Sequence, residues 1–388
     1  LSLEKGDRSS DTAVTERLAD TRVKGKAAVY CVVGAGNGGM AMAAHLGLMG
    51  FRVRLYNRTD EHLAGVRWHG GIRLSGEVSG FGPVELATSV LAKGVKDADV
   101  IMVVVPSTAH RGIAELYAPL AESGQLVVLN PGRTGGALEF RQALLEAGCR
   151  ERPVIAEAQT FIYASRAISR HEARIFKIKR EVPLATLPSH WIPAALRALE
   201  PAFPQFAPGG NVLATSMENI GAVFHPALTI LNAGWIEGTR GGFEYYLEGI
   251  TPSVARVLEA VDAERLATAR ALGVRSMSAR EWLYLSYGSA GDCLYEAIRA
   301  TWAYRGIKAP SGIAHRYIWE DVPMSLVPIE ALAGLMGVQA PTIGMVIDMG
   351  CLLHGRDYRA EGRGLKRLGL AGMDVKAIHS LVTDPERQ

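Results

Sequence analysis

"VVGAGNGGMAMAAHLGLMGFRVRLYNRT", residues 32–59, decides the fold. Gly34, Gly36 and Gly39 give the spacing G-x-G-x-x-G directly after the apolar run 27–33 and directly before the Ala-rich, apolar stretch 40–49. That order is strand, turn, helix. The first glycine permits a tight turn, the second lets the backbone approach a pyrophosphate, and the third lets helix and strand pack closely. Free N–H groups at the helix start face the phosphate charge. Gly38 is a fourth glycine and Asn37 sits among them, so the candidate phosphate-binding set is Gly34, Gly36, Asn37, Gly38 and Gly39.

A second apolar, β-branched run, 51–56, follows the helix and ends on Asn57-Arg58-Thr59. This is about 20 residues past the first glycine, where an acid normally grips the adenosine ribose hydroxyls. A carboxylate would repel a 2′-phosphate, whereas a neutral amide and a guanidinium accept one. The expected cofactor is therefore NADP(H) in preference to NAD(H), with Asn57 and Arg58 at the phosphate. The plainer alternative is a solvated loop arginine.

The chain has 388 residues, 48% of them hydrophobic, enough for large cores and two domains. The formal net charge of +3 is close to balance and asks for neither nucleic acid nor a membrane surface. The basic cluster 356–367 is interrupted by Asp357 and Glu361 and reads as a solvated face. Cys31, Cys149, Cys293 and Cys351 are widely spread without a C-x-x-C, which points to a reducing, cytoplasmic compartment and no zinc site. No apolar run reaches the length of a membrane span. Residues 1–26 are polar, lack the apolar core of a signal peptide, and are expected to be a disordered leader.

Beyond the second strand, 72–74 and 84–86 flank the Gly-rich "SGEVSGFG" and read as a hairpin. "ADVIMVVVPS" is a strand covered on both faces, "QLVVLNPGRTGGALEF" repeats strand, turn and helix, "PVIAEAQTF" is a further strand, and "ARIFKIKREVPLATLP" reads as another pair. The alternation predicts an α/β fold, a Rossmann-type doubly wound parallel sheet over residues 27–207. From 208 to 388 amphipathic stretches such as 252–272 predict a mostly helical second domain. The binding crevice is expected outside the carboxyl ends of the strands.

His225 lies among apolar residues in "SMENIGAVFHPALTILNAG", and "HRYIWEDVPM" places Arg316, Glu320 and Asp321 ahead of Pro323. A core histidine and a structural ion pair would explain both segments. Reduction of a 2-oxo acid, or of the imine formed from it, needs a cation for the carboxylate, an acid near the reacting centre and a carboxylate that orients that acid. Arg316, His225 and Asp321 supply those three types, and imidazole suits the proton step because it titrates near neutrality.

The segments "GAGNGG", "NPGRTGG", "AEAQT", "ENIGAVFHPALTILNAG", "LEAVDAERLATARALGV" and "RYIWEDVP" together resemble the opine dehydrogenase family, which includes the octopine, nopaline and N-(carboxyalkyl)amino acid dehydrogenases. The resemblance covers roughly residues 27–360. It implies a nucleotide-binding domain followed by a helical domain. It also implies NAD(P)H-dependent reductive condensation of an L-amino acid with a 2-oxo acid, small-molecule partners, a homodimer as an allowed assembly, and no metal. It puts the catalytic histidine on His225, its aspartate on Asp321 and the carboxylate-binding arginine on Arg316. Glu157 is a candidate for the amino-acid amine, but Ala158 stands where relatives can carry Thr, and a structural acid at a strand end is an equal reading. Two alternatives stay open: a 2-oxo acid reductase resembling ketopantoate reductase, although residues 218–232 hold no lysine for it, and a non-catalytic NADP(H) sensor.

Overall fold

The structure, a computed structural model, describes residues 4–383, with side chains described from residue 11 onward. The chain divides into two compact units. The first holds the described residues up to Gly132, Gly136–Thr215 and the described residues from His379; the second holds Arg133–Gly135 and Ser216–Ile378. The division falls later than residue 207, and three residues of the "NPGRTGG" loop group with the second unit. The cause is local: Thr134 N–H donates to Met324 O at 3.3 Å, its carbonyl accepts from Arg363 Nη1 at 2.9 Å, and Gly135 N–H donates to Ser216 Oγ at 2.9 Å.

The strands are β1 Val29–Val33, β2 Arg52–Tyr56, β3 Gly71–Gly76, β4 Gly80–Pro83, β5 Leu86–Thr88, β6 Val100–Val103, β7 Leu126–Leu129, β8 Val154–Ala158, β9 Tyr163–Ser169, β10 Glu172–Ile178, β11 Val182–Leu187 and β12 Phe206–Pro208. The large sheet runs β12-β11-β8-β7-β6-β1-β2-β5, and β3, β4, β9 and β10 form a second sheet in the order β4-β3-β10-β9. In the large sheet β1 pairs parallel with β2 and β6, β6 with β7 and β7 with β8, while β11 is antiparallel to β8. The central strands are buried on both faces, which is why they read as continuous apolar runs.

Two local expectations are corrected. The hairpin partner of β3 is β4, not residues 84–86; Leu86 instead opens β5, which pairs with β2 at the edge of the large sheet. The pair expected in 173–188 is split between the sheets, β10 with β9 and β3, and β11 with β8. Periodicity sets the strand, but partner choice is made by the helix Asn37–Leu48. It lies against β3, β4, β9 and β10 as well as β1 and β2, and is apolar nearly all round.

Of the expected disordered leader 1–26, residues 1–3 lie outside the described residues, and the rest is corrected: Glu4–Lys24 is an α-helix. Its apolar stripe is thin, Val14, Leu18 and Thr21 at helical spacing, yet all three are buried. The polar flanks are pinned too, Arg17 to Glu122 at 2.8 Å and Lys24 to the buried Asp99 at 2.7 Å.

The second unit is helical, built on Ile220–Leu231, Pro252–Ala271, Ala279–Tyr287, Val327–Leu335 and Pro341–His354. Pro252–Ala271 begins on Thr251, whose side chain accepts from Val254 N–H. Within that helix lies a fully buried Arg265. Its Nη2 reaches Asp262 Oδ1 at 2.6 Å and Met277 O at 2.7 Å, Nη1 bonds Met217 O and Ser276 Oγ, and Asp262 Oδ2 accepts from Ala279 N–H at 2.8 Å. One ion pair thus ties three chain segments together. All four cysteines are free, and among the described residues no helix is long and apolar enough to cross a membrane.

Candidate functional site

In the first unit the glycine turn joins β1 to the helix Asn37–Leu48. Gly34 has φ +113°, and a Cβ there would lie 2.4 Å from Val104 O. A Cβ on Gly39 would lie 1.7 Å from Gly34 O, and one on Gly38 would press on Phe161 and Val104. These three are required by the turn's own packing. Gly36 differs: a Cβ there would meet nothing within 4 Å, and as the helix N-cap it offers no side-chain hydrogen bond. Open space over uncapped N–H groups at the start of a twelve-residue helix fits a pyrophosphate.

Asn37 Oδ1 accepts from Ala167 N–H at 3.0 Å, so its side chain braces β9 while its backbone remains at the turn. Asn57 also braces: Oδ1 accepts from Ala35 N–H at 3.1 Å and Nδ2 donates to Thr59 O at 2.9 Å. The amide at the ribose-binding position therefore holds the turn's shape. Arg58 beside it is exposed, with no ion-pair partner among the described residues.

In the second unit His225 sits on Ile220–Leu231 and Asp321 directly ahead of a π-helical turn, Val322–Leu326, 96 positions away in sequence. The structure brings them together. His225 Nδ1 and Asp321 Oδ2 are 2.8 Å apart, and Asp321 is 0% exposed. An ionised carboxylate only accepts, so Nδ1 carries the proton and Nε2 is the acceptor in the neutral ring. Nε2 lies 3.2 Å from the Tyr246 hydroxyl, which donates to it. Tyr317 stacks on the imidazole with centroids 4.1 Å apart, and Tyr245 and Thr229 both bond His225 O, fixing the backbone beneath the ring.

The second oxygen of Asp321 faces Arg133 Nη1 at 3.2 Å, an ion pair without hydrogen-bond alignment. Burial pushes the Asp321 carboxyl up, and Arg133 and His225 more than offset it, so it is held below its ordinary value. Burial likewise opposes the Arg133 charge, and Asp321 and Glu320 restore it, with a net upward shift. Burial raises Tyr246 well above an ordinary phenol, which keeps it a neutral donor.

Arg316 is half exposed, and both Nη2 (2.5 Å) and Nε (2.8 Å) meet Glu320 Oε2. Glu320 is buried and lies 3.9 Å from Arg133 Nε as well. It anchors Arg316, leaving the outer edge of that guanidinium to solvent or a ligand. Glu157 belongs elsewhere. It is 1% exposed in the first unit, with Oε2 accepting from Ala137 N–H at 2.8 Å and Oε1 from Thr215 Oγ1 at 2.6 Å. It anchors the start of the helix Gly136–Glu146, and the substrate-binding assignment gives way to the structural one.

Sequence reasoning passed over Arg133, Tyr246 and Tyr317. Arg133 carried a faint signal, a lone long side chain amid glycines after a buried strand. The tyrosines carried none, because only the tertiary fold returns them to His225.

Comparison with known proteins follows the same division. Residues 208–354 match the family described as NAD/NADP octopine/nopaline dehydrogenase, alpha-helical domain, and residues 30–147 match the NAD-dependent glycerol-3-phosphate dehydrogenase N-terminus. An opine dehydrogenase of Arthrobacter sp. (strain 1C) is 41% identical over 355 residues, covering 91% of this chain and 98% of that protein. A protein ocs of Agrobacterium tumefaciens (strain Ach5) is 28% identical over 74% of this chain and 79% of its own length. Among solved structures, octopine dehydrogenase with NADH and L-arginine superposes with a TM-score of 0.75 at 21% identity, over 91% of this chain and 98% of that one. Yersinopine dehydrogenase with NADP+ gives 0.66 at 17% identity, over 94% and 99%.

Proposed function

This chain belongs to the opine dehydrogenase family, pyridine-nucleotide oxidoreductases acting on CH–NH donors, and from that premise we propose how its own residues divide the work. The reaction condenses an L-amino acid with a 2-oxo acid. The amine nitrogen bonds to the carbonyl carbon, the carbonyl oxygen leaves as water, and the imine carbon takes a hydride. Reduced nicotinamide supplies that hydride when bound, held through the backbone at Gly34, Gly36, Asn37, Gly38 and Gly39. His225, protonated at both nitrogens, polarises the substrate and gives a proton from Nε2; Asp321 fixes its tautomer and stabilises its charge. The observation that carries this is the 2.8 Å contact between His225 and a fully buried Asp321. Tyr246 covers Nε2 in this structure, so substrate binding exchanges one hydrogen bond for another. The test is a matrix of 2-oxo acids against amines, read by nucleotide oxidation and product mass. A product joining both substrates is expected, and a hydroxy acid formed without amine would point to simple ketone reduction instead.

Arg316 is the anchor for the oxo-acid carboxylate, aimed by Glu320. A planar guanidinium holds a carboxylate through two parallel bonds that an ammonium cannot reproduce. Arg316→Lys is expected to raise KM for the oxo acid about tenfold or more, the equivalent of one charged hydrogen bond, with nucleotide affinity unchanged. An equal loss of nucleotide affinity would assign Arg316 a different role.

NADPH is the preferred cofactor on this reading. Octopine dehydrogenase has been solved with NADH and yersinopine dehydrogenase with NADP+, so the fold accepts either. The preference here rests on Arg58, exposed beside a neutral Asn57. A charged hydrogen bond to the 2′-phosphate contributes about 1.5 to 3 kcal/mol, or roughly 10- to 150-fold in affinity. Arg58→Ala with Asn57→Asp should reverse the preference, and equal use of both nucleotides by the unaltered enzyme would count against it. Because Asn57 also braces the turn, Arg58→Ala alone is the cleaner measurement.

A further inference from the structure

Resting on the reading of His225 and Asp321 as the acid-base pair, we propose that Arg133 is a positioning residue that sets the acidity of that pair. It does so by dividing the Asp321 carboxylate between two cations, the guanidinium on one oxygen and His225 Nδ1 on the other.

The geometry is specific. Arg133 has φ +60°, a left-handed conformation that side-chain-bearing residues avoid and that persists where surrounding contacts impose it. Those contacts are the bonds of Thr134 to Met324, Arg363 and Ser216 and of Gly135 to Ser216, which fix the loop immediately after it. The side chain is 13% exposed and delivers Nη1 to within 3.2 Å of the Asp321 oxygen that His225 does not use. Room for it is left by Gly221 on the histidine's own helix. A Cβ there would fall 2.8 Å from Arg133 Nη1 and 3.3 Å from His225 Cε1.

A carboxylate in a dry site with one cationic partner holds that partner's proton strongly; a second, permanent cation on its other oxygen takes part of that attraction away. The remaining groups facing the pair do not substitute for Arg133. Arg316 is engaged by Glu320, Tyr245, Tyr246 and Tyr317 are held neutral by burial, and burial and the nearby Arg316 charge both lower His315. The sign follows. Without Arg133, Asp321 directs its whole charge at His225. The alkaline limb of imine reduction, which needs protonated His225, and the acidic limb of opine oxidation, which needs the neutral ring, both move upward.

The experiment measures kcat/KM against pH in both directions for the full-length enzyme and for Arg133→Gln, Arg133→Lys and Gly221→Ala, with His225→Ala as reference. We expect both limbs of Arg133→Gln to rise by about one pH unit, as removal of a charge within 4–6 Å typically does, which costs opine oxidation about tenfold on its acidic limb. Arg133→Lys should restore the limbs toward their original position. Gly221→Ala, which displaces the guanidinium without deleting it, should move them the same way as Gln, and it carries the test if the Gln variant does not fold. A loss of kcat at every pH with the limbs unmoved would make Arg133 merely structural. A raised KM for the oxo acid with unmoved limbs would make it a carboxylate contact. Either overturns the proposal while leaving the dyad standing, provided His225→Ala is inactive. If folded His225→Ala retains turnover, the dyad reading falls and this inference with it.

Discussion

Turnover by His225→Ala is expected to fall about 100- to 10,000-fold, the range that a positioned acid-base group contributes, with the fold and nucleotide affinity intact. The side chain is partly exposed and its removal leaves no apolar cavity comparable to a core truncation, so circular dichroism and nucleotide titration should match the parent. Asp321→Asn should be impaired as well: an amide can still hold the ring but cannot balance an imidazolium, and it leaves Arg133 facing a neutral group in a dry site. Members of one catalytic unit are non-additive, so the double variant should be little worse than His225→Ala alone. Multiplying losses would show that Asp321 and His225 act separately, and near-normal turnover by a folded His225→Ala would return the histidine to the core.

Asp262→Ala is expected to lower unfolding free energy by about 3 to 5 kcal/mol, as breaking a buried ion pair from one side does. Arg265 is completely buried, and its charge is matched by Asp262 while the Met217 and Met277 carbonyls and Ser276 absorb its remaining donors. Removing Asp262 takes away the ion-pair partner of Arg265, leaving it only the coulombic pull of Glu218, and deprives Ala279 N–H of its acceptor at the start of Ala279–Tyr287. Urea denaturation reads the shift in midpoint. A change under about 1 kcal/mol, the ceiling for exposed pairs, would mean that water reaches Arg265. This pair lies in a segment that carried the family resemblance, yet its work is to hold three stretches of backbone together.

The turn at Gly34–Gly39 was legible because its demands are local: left-handed φ at Gly34 and contact between Gly39 and the Gly34 carbonyl are satisfied by neighbours in sequence. His225, Asp321 and Arg316 could be singled out as residue types that a reduction would need, and the fold places all three in the second unit. Glu157 was left between two readings because a strand-end acid looks alike whether it faces a ligand or an adjacent helix, and the amide of Ala137 and the hydroxyl of Thr215 favour the structural one. Asn57 shows the same ambiguity, its neutral amide filled by Ala35 and Thr59. The helix Glu4–Lys24 escaped notice because two apolar residues and a threonine suffice when a ready-made surface receives them. Arg133 stood out only faintly, as a long side chain amid glycines, since its meaning depends on a carboxylate far along the chain.

The widened turn at Val322–Leu326 makes the site sensitive to chain length. Its i→i−5 bond, from Val327 N–H to Val322 O, is equivalent to one residue in excess of a regular helix, the smallest insertion a helix absorbs without breaking. The carbonyls of Pro323 and Met324 are spoken for by the amides of Arg363 and Thr134. Deleting that extra residue would yield a more regular helix and rotate everything after it by about 100°, the step per residue of a 3.6-residue turn, taking both acceptors out of reach. The site is thus written partly as a register. A chain that lacked this one residue would keep Asp321 in register and shift every residue that follows by one position.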